Sequence, residues 1–278
     1  MTTISDLIED RFGLATEAGK DMPDEGEIAG MLRHRSCRAF IADKPVPNDM
    51  LEIILAAAFS APAKSDLQQS AVVIVDDPEK RRTIEALMPA MPWIADAPVF
   101  MVFCGDNRRI RRVCEMRGTE FANDHLDSFL NPSVDTGIVL GWFVRAAQAA
   151  GLGCCSISVV RNHIETISEV LELPDHVFPV AGMCLGWPVR PGYISLRLGP
   201  RIQVHRDRYD DTNLAEEIDA YDRRRDARYS IPEDKQRRRD TYGTAEFYGW
   251  SADKSRQVSL TEREQLAGFL RKKGFKLE

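Results

Sequence analysis

The sequence predicts a mixed α/β fold in one large domain with an appendage. Three observations predict it. Short β-branched runs alternate with helical segments in the order helix, strand, helix, strand, long helix, strand, helix, strand. Two apolar runs, "AVVIVDD" and "APVFMVFCGD", are continuous rather than alternating, as strands buried on both faces are. From about residue 190 the chain becomes highly charged and loses its periodicity, which marks the appendage.

The first of these elements is a helix over 48–59, where Asn48 and Asp49 are good capping residues ahead of strong helix formers. Residues 71–77 form a strand, "PEKRRTIEALM" (78–88) opens a helix on a proline, and 97–106 form the second strand. The segment 133–153 places Val134, Ile138, Trp142 and Ala146 at four-residue steps, with Val139, Phe143 and Ala147 beside them. Its apolar belt suits either a central helix or a dimer interface. "GLG" closes that helix and turns into the strand "CCSISVV" (154–160). A helix over 162–173 follows, with Asn162 and Glu165 spaced as a capping box, and 177–188 is a strand ending in a Gly-Trp-Pro turn. In the tail, "TEREQLAGFLRKKGF" is a helix capped by Thr261 and stopped by Gly274. Phe247, Tyr248 and Trp250 require burial against the core or against a partner subunit.

With 278 residues, 44% of them hydrophobic, the chain can bury a substantial core. Lys plus Arg (37) against Asp plus Glu (43) gives a net charge of −6, which argues against a nucleic-acid partner. The N-terminus carries acids where a signal peptide needs basic residues, and no segment approaches a membrane span, so a cytoplasmic protein without membrane attachment is expected. The cysteines at 37, 104, 114, 154, 155 and 184 lack C-x-x-C spacing, which excludes disulfide scaffolding and a metal site as expectations. Cys154 and Cys155 form either a strained vicinal disulfide or, more simply, part of a buried apolar strand.

The motifs of P-loop, serine-hydrolase, zincin and dinucleotide-binding proteins are all absent. "MLRHRSCRAF" (31–40) concentrates Arg33, Arg35 and Arg38 around a histidine and a serine in an acidic chain. Arginine binds phosphate through bidentate, charge-assisted bonds, so Arg35, Ser36 and Arg38 can converge on one anion; a solvated helix end gives the same pattern. "AKSDLQQ" (63–69) lies between a helix and a strand. Ser65, Asp66 and Gln68 either hydrogen-bond a heterocycle there or cap and turn the chain.

Taken in order, these pieces resemble the FMN-dependent nitroreductase family, in particular its NADPH-dependent oxygen-insensitive nitroreductase and flavin reductase branch. "HRSCRAF" is similar to the branch's H-R-S-x-R-x-[FY] segment, and "SAPAKSDLQQ" to its Ala-Pro-Ser-x-x-Asn-x-Gln loop. The block from "GLGCCSISVV" to "GMCLGWP" resembles its most characteristic stretch, and "SLRLGPRIQVHRDRYD" its K-P-R-L-P segment. The resemblance implies an α+β fold: a central, mostly antiparallel sheet flanked by helices, with a C-terminal extension from about residue 190 that wraps the core or a partner. Residues 1–27 are then an N-terminal extension, and 28–278 one FMN-binding domain in a homodimer.

Carried over position by position, the family pattern puts His34, Arg35, Ser36 and Arg38 on the phosphate and ribityl side of FMN, with Arg197 as a second phosphate ligand. Ser65, Asp66 and Gln68 approach the ring, Asp66 standing where many members have Asn. Cys155, Ser156 and Ile157 pass the flavin with their backbone. Ser195 replaces the lysine of K-P-R-L-P, and Met91 falls where the branch has Gln. The implied activity is ping-pong two-electron transfer from NADPH or NADH, through the flavin, to a small-molecule acceptor such as a nitroaromatic, a quinone or free flavin. The cofactor carries this chemistry, so no dedicated catalytic acid or base is expected. Arg237, Arg238 and Arg239 lie where the branch holds the NADPH 2′-phosphate, although a charged loop reads the same way. A flavin-binding or flavin-processing protein of this fold lacking nitroreductase activity is the alternative, motivated by Ser195 and the cysteine pair.

Overall fold

The computed structural model describes residues 2–278. In chain order the elements are α1 (Ile4–Phe12), α2 (Gly26–Leu32), α3 (Asn48–Phe59), β1 (Ser70–Ile74), α4 (Pro78–Ala86), β2 (Val99–Asp106), α5 (Arg108–Arg117), α6 (Asp127–Ala149) and β3 (Gly153–Ile157). They continue with α7 (Ile164–Val170), β4 (Val177–Gly186), α8 (Pro200–Gln203), α9 (Leu214–Arg228), α10 (Arg239–Tyr242), α11 (Trp250–Val258) and α12 (Leu266–Lys272). The chain divides into two compact units, Met1–Arg35 with Tyr193–Glu262, and Ser36–Gly192 with Arg263–Glu278.

The second unit is built on a four-stranded sheet in the order β1-β2-β4-β3, antiparallel at every pairing. Alternation along β2 sends Phe100, Val102 and Cys104 into one core, with Ile84 of α4 and Ile167 of α7, and Met101 and Phe103 into another, with Ile54 of α3 and Phe143 of α6. Helices on both faces explain why this central antiparallel strand reads as an unbroken apolar run. The edge strand β1, by contrast, is mostly half-buried. The C-terminal helix α12 belongs to the same unit: Phe269, Leu270 and Phe275 pack with Ile164 and Phe178.

α3 has the expected bounds, but Pro47 is its N-cap, so Asn48 is already helical and Asp49 accepts only the N–H of Met50 at 2.9 Å. Two other expected helix starts are corrected. The box at Asn162 and Glu165 does not form, because Oδ1 of Asn162 accepts from Nε of Arg263 at 2.9 Å and α7 begins two residues later, after a 3₁₀ turn. Thr261 does not cap α12, which starts at Leu266 once Gln265 has anchored to the Asn162 carbonyl at 3.0 Å. Local capping signals lose here to tertiary contacts. β3 also ends at Ile157, three residues earlier than expected, and α6 starts six residues earlier, carrying Pro132 inside it.

In the first unit, Tyr221 of α9 is buried and its hydroxyl donates to the Leu196 carbonyl at 3.0 Å. Asp222, also buried, accepts the Ser251 N–H at 3.0 Å and so caps α11 from outside that helix. Gly249 is needed at this junction, since a Cβ there would lie 2.4 Å from the Asp222 carboxylate. Of the three tail aromatics, Tyr248 is buried and Trp250 meets Tyr221 edge-on at 5.5 Å, while Phe247 is 51% exposed on the single chain.

Candidate functional site

Within the sheet-bearing unit, the end of the basic stretch, from Ser36 onward, is tied to β3. The Cys37 N–H donates to the Cys154 carbonyl at 2.9 Å, and the chain then runs past β4, with Ile41 N–H on the Trp187 carbonyl (2.9 Å) and Val189 N–H on that of Ala39 (3.0 Å). Gly153 permits this approach, since a Cβ there would lie 2.6 Å from the Cys37 sulfur. Arg38 is exposed, and its guanidinium is near enough to favour the Cys155 thiolate.

Successive residues of a strand point to opposite faces, so Cys154 enters the core with α3 and α6 while Cys155 faces the other way. All six cysteines are free thiols, and the vicinal disulfide is absent. Burial pushes Cys154 up to about 12 and also raises Cys155, where Arg38 pulls in the opposite direction. Ser156 is exposed on this edge strand, whereas the Ile157 side chain belongs to the core, leaving only its backbone to meet a ligand.

The loop 63–69 contains Ser65, Asp66 and Gln68 at φ of 50°, 56° and 51°, three left-handed non-glycine residues within four positions. Such concentration of strain requires external support. Asp135 of α6 supplies it, accepting the N–H groups of Lys64 (2.9 Å) and Gln69 (3.1 Å). Arg109 of α5 holds the carbonyls of Gln68 (2.5 Å) and Ser70 (3.2 Å). Nε2 of Gln68 donates to Oδ1 of Asp66 at 3.0 Å, which an aspartate here permits as well as an asparagine. The loop borders a cavity of about 460 Å³, whose lining includes Phe59, Gln68, Gln69, Arg109 and Asp135. Met91 packs partly buried against the core.

In the other unit, Arg197 bonds the Ser195 hydroxyl at 3.1 Å, and its N–H donates to the Arg11 carbonyl at 2.9 Å. His34 and Arg35 are half-buried at the end of the same unit's first segment. Arg237 pairs with Asp253 (3.1 Å), and Arg238 donates to Ser259 Oγ (3.0 Å) and Thr241 Oγ1 (3.1 Å), while Arg239 is exposed. Arg11, Arg109 and Asp135 escaped the sequence reading. Asp135 had a signal, as a lone acid within an apolar helical belt, but Arg11 had none, standing in a segment with no expected element.

Residues 31–187 match the model of the nitroreductase family, and 195–278 match the model of that family's C-terminal domain. The chain belongs to the nitroreductase family. Within it, the chain is 37% identical to an FMN reductase [NAD(P)H] of Bacillus subtilis over 70% of this chain and 79% of that protein. It is 33% identical to an oxygen-insensitive NADPH nitroreductase of Salmonella typhimurium over 87% and 95% of the two chains. Among solved structures it resembles NfrA2 of B. megaterium, with a TM-score of 0.81 and 31% identity over 91% of this chain and 100% of that one. The NADPH:FMN oxidoreductase of Vibrio harveyi complexed with NAD+ superposes with a TM-score of 0.77 and 29% identity, over 89% and 97%. Among the described residues no helix is long and apolar enough to cross a membrane.

Proposed function

We propose that this nitroreductase-family chain is an FMN-dependent NAD(P)H oxidoreductase that reduces nitroaromatics, quinones or flavins by two electrons in a ping-pong cycle. The observation that carries this reading is the lock between Cys37 and Cys154, which joins the basic stretch to the edge of β3. Two of the sequence blocks that resemble the family thereby become one surface. The donor set fits a phosphorylated flavin: arginines and a serine suit the phosphate, and a strained, externally supported loop suits a planar ring.

Bound FMN would supply hydride acceptance and donation. The chain's part is to bind and orient. His34, Arg35, Ser36, Arg38 and Arg197 take the phosphate and ribityl chain. Ser65, Asp66 and Gln68, with the backbone of Cys155, Ser156 and Ile157, take the ring. Main-chain and side-chain donors beside the ring favour its more electron-rich, reduced form. Arg237, Arg238 and Arg239 are assigned to the reductant, NADPH or NADH. Leu130, Val134 and Trp142, each at least 46% exposed along α6, are assigned to a homodimer interface. A cytoplasmic location completes the reading.

The test is the absorption spectrum of the purified protein, followed by anaerobic titration with NADH and NADPH. A yellow protein whose flavin band bleaches with either nucleotide and returns with a quinone or nitro compound supports the proposal. A colourless protein that takes up no FMN rejects it.

A further inference from the structure

Arg11 lies in the last turn of α1 and is only 5% exposed. Its guanidinium is spent on main-chain carbonyls. Nε and Nη2 both donate to Leu32 (3.1 and 2.7 Å), Nη1 donates to Ser195 (2.9 Å), and Nη2 also donates to His34. The adjacent acid, Asp10, is engaged instead by Arg228, through both its carboxylate and its carbonyl at 2.8 Å. Arg11 is thus a buried cation solvated by dipoles. Burial first, and then the charge of Arg197, push its pKa down, with Asp10 opposing them more weakly.

Burying a cation among carbonyls, with a second cation close by, is unfavourable unless something offsets it. A doubly charged anion at Arg197 would offset both. The backbone there is already set for one, because the carbonyls of Ile194, Ser195 and Leu196 are taken in turn by the Tyr229 hydroxyl (3.2 Å), Arg11 (2.9 Å) and the Tyr221 hydroxyl (3.0 Å). Arg197 therefore projects from a fixed segment and loses less freedom on binding. At the other strand of chain, a His34 carbonyl turned towards Arg11 turns the N–H of the same trans peptide the opposite way.

We infer that Arg11 is a positioning residue for the FMN phosphate, fixing the main chain that carries His34 and Arg197 and adding a buried positive charge beside them. This rests on the FMN reading above. Arg11 lies outside the segments 31–187 and 195–278 that match the family models, within the stretch that the resemblance reads as an N-terminal extension. It also accounts for Ser195: the cation that the resemblance leads one to expect from a lysine side chain is delivered from α1 to the carbonyl of the residue that replaced it.

The experiment measures dissociation constants of the full-length apoprotein for FMN and for riboflavin, which lacks the phosphate, by quenching of flavin fluorescence. Arg11→Met is expected to weaken FMN by about 10- to 100-fold while leaving riboflavin nearly unchanged. Arg11→Lys keeps the charge but cannot span three carbonyls, and is expected to fall between. If Arg11→Met does not fold, Arg11→Lys decides by the same ratio. Equal weakening of both ligands, or unchanged FMN binding, overturns the inference. A wild type that binds FMN no better than riboflavin overturns the phosphate reading and this inference with it. A wild-type preference for FMN that survives Arg11→Met overturns the inference alone.

Discussion

Asp135 accepts the main-chain N–H of Gln69 at 3.1 Å, from a carboxylate buried inside α6. Its other oxygen takes the N–H of Lys64 at 2.9 Å, so one side chain closes both ends of the strained loop. The three left-handed residues in between cost about 1–3 kcal/mol each unless held. Asp135→Asn replaces one acceptor with a donor facing a backbone N–H, and should destabilise the protein by about 1–3 kcal/mol in urea denaturation. Riboflavin affinity should fall as well, because the loop is assigned to the ring. Unchanged stability and unchanged riboflavin binding would separate Asp135 from the loop.

Arg38, assigned to the phosphate, is a neighbour of the Cys155 thiol. A thiol is a poor partner for a guanidinium, so a phosphate should displace it with net gain. Arg38→Ala is expected to cost FMN about 1.5–3 kcal/mol of affinity, the range for a charge-assisted bond. Flavin that stays bound through dialysis of the variant would remove Arg38 from the site.

The buried thiols set an alkaline limit. Burial, with Asp106 adding to it, pushes Cys104 from 9.0 to about 12, and Cys154 reaches about 12 by burial and its neighbour Cys155. The folded state holds these protons more tightly than the unfolded state. Their stabilisation is therefore complete below about pH 9 and is lost as pH rises towards 12, at about 1.4 kcal/mol per pH unit for each thiol. Unfolding free energy measured against pH should fall above pH 9, and Cys104→Ser should reduce the slope by one thiol's share, whatever its effect on the plateau. An unaltered slope would show that Cys104 does not control it.

The sheet was legible because each strand is a compact β-branched or apolar run, and the order of helices between strands followed from simple periodicity. Helices α1, α5 and α11 were not. In α5, "RRIRRVCEMR" buries no residue and carries only a short apolar stripe, Ile110, Val113 and Cys114, among five arginines, and its hold on the 63–69 loop through Arg109 is a tertiary contact. The basic stretch and the polar loop were visible as residue types in unusual density. Their supports, Arg11 and Asp135, act across 23 and 66 or more positions of sequence, and a spacing argument has no access to such pairs.

Nucleotide choice is best tested with Arg237 left alone, since its partner Asp253 is buried and would lose an ion pair, whereas Arg238 bonds the exposed Ser259 and Thr241. Arg238 and Arg239 are the residues to change. Their joint replacement by Ala should raise KM for NADPH about tenfold and leave KM for NADH nearly unchanged, as loss of one charge-assisted phosphate contact would. Equal changes for the two nucleotides would rule out a 2′-phosphate role.

The apolar belt of α6 allowed two readings, a central helix or a dimer interface, and its residues divide between them. Val139, Phe143 and Ala147 are buried against the sheet, while Leu130, Val134 and Trp142 are 49%, 49% and 46% exposed. A half-exposed tryptophan in line with two aliphatic residues is costly to leave in water, and aromatic anchors of this kind dominate interfaces. Trp142→Glu places a charge there without touching the core-facing side. Light scattering should show the wild type as a dimer and the variant as monomer or a strongly concentration-dependent mixture. A variant that remains dimeric at low concentration would move the interface away from this face of α6.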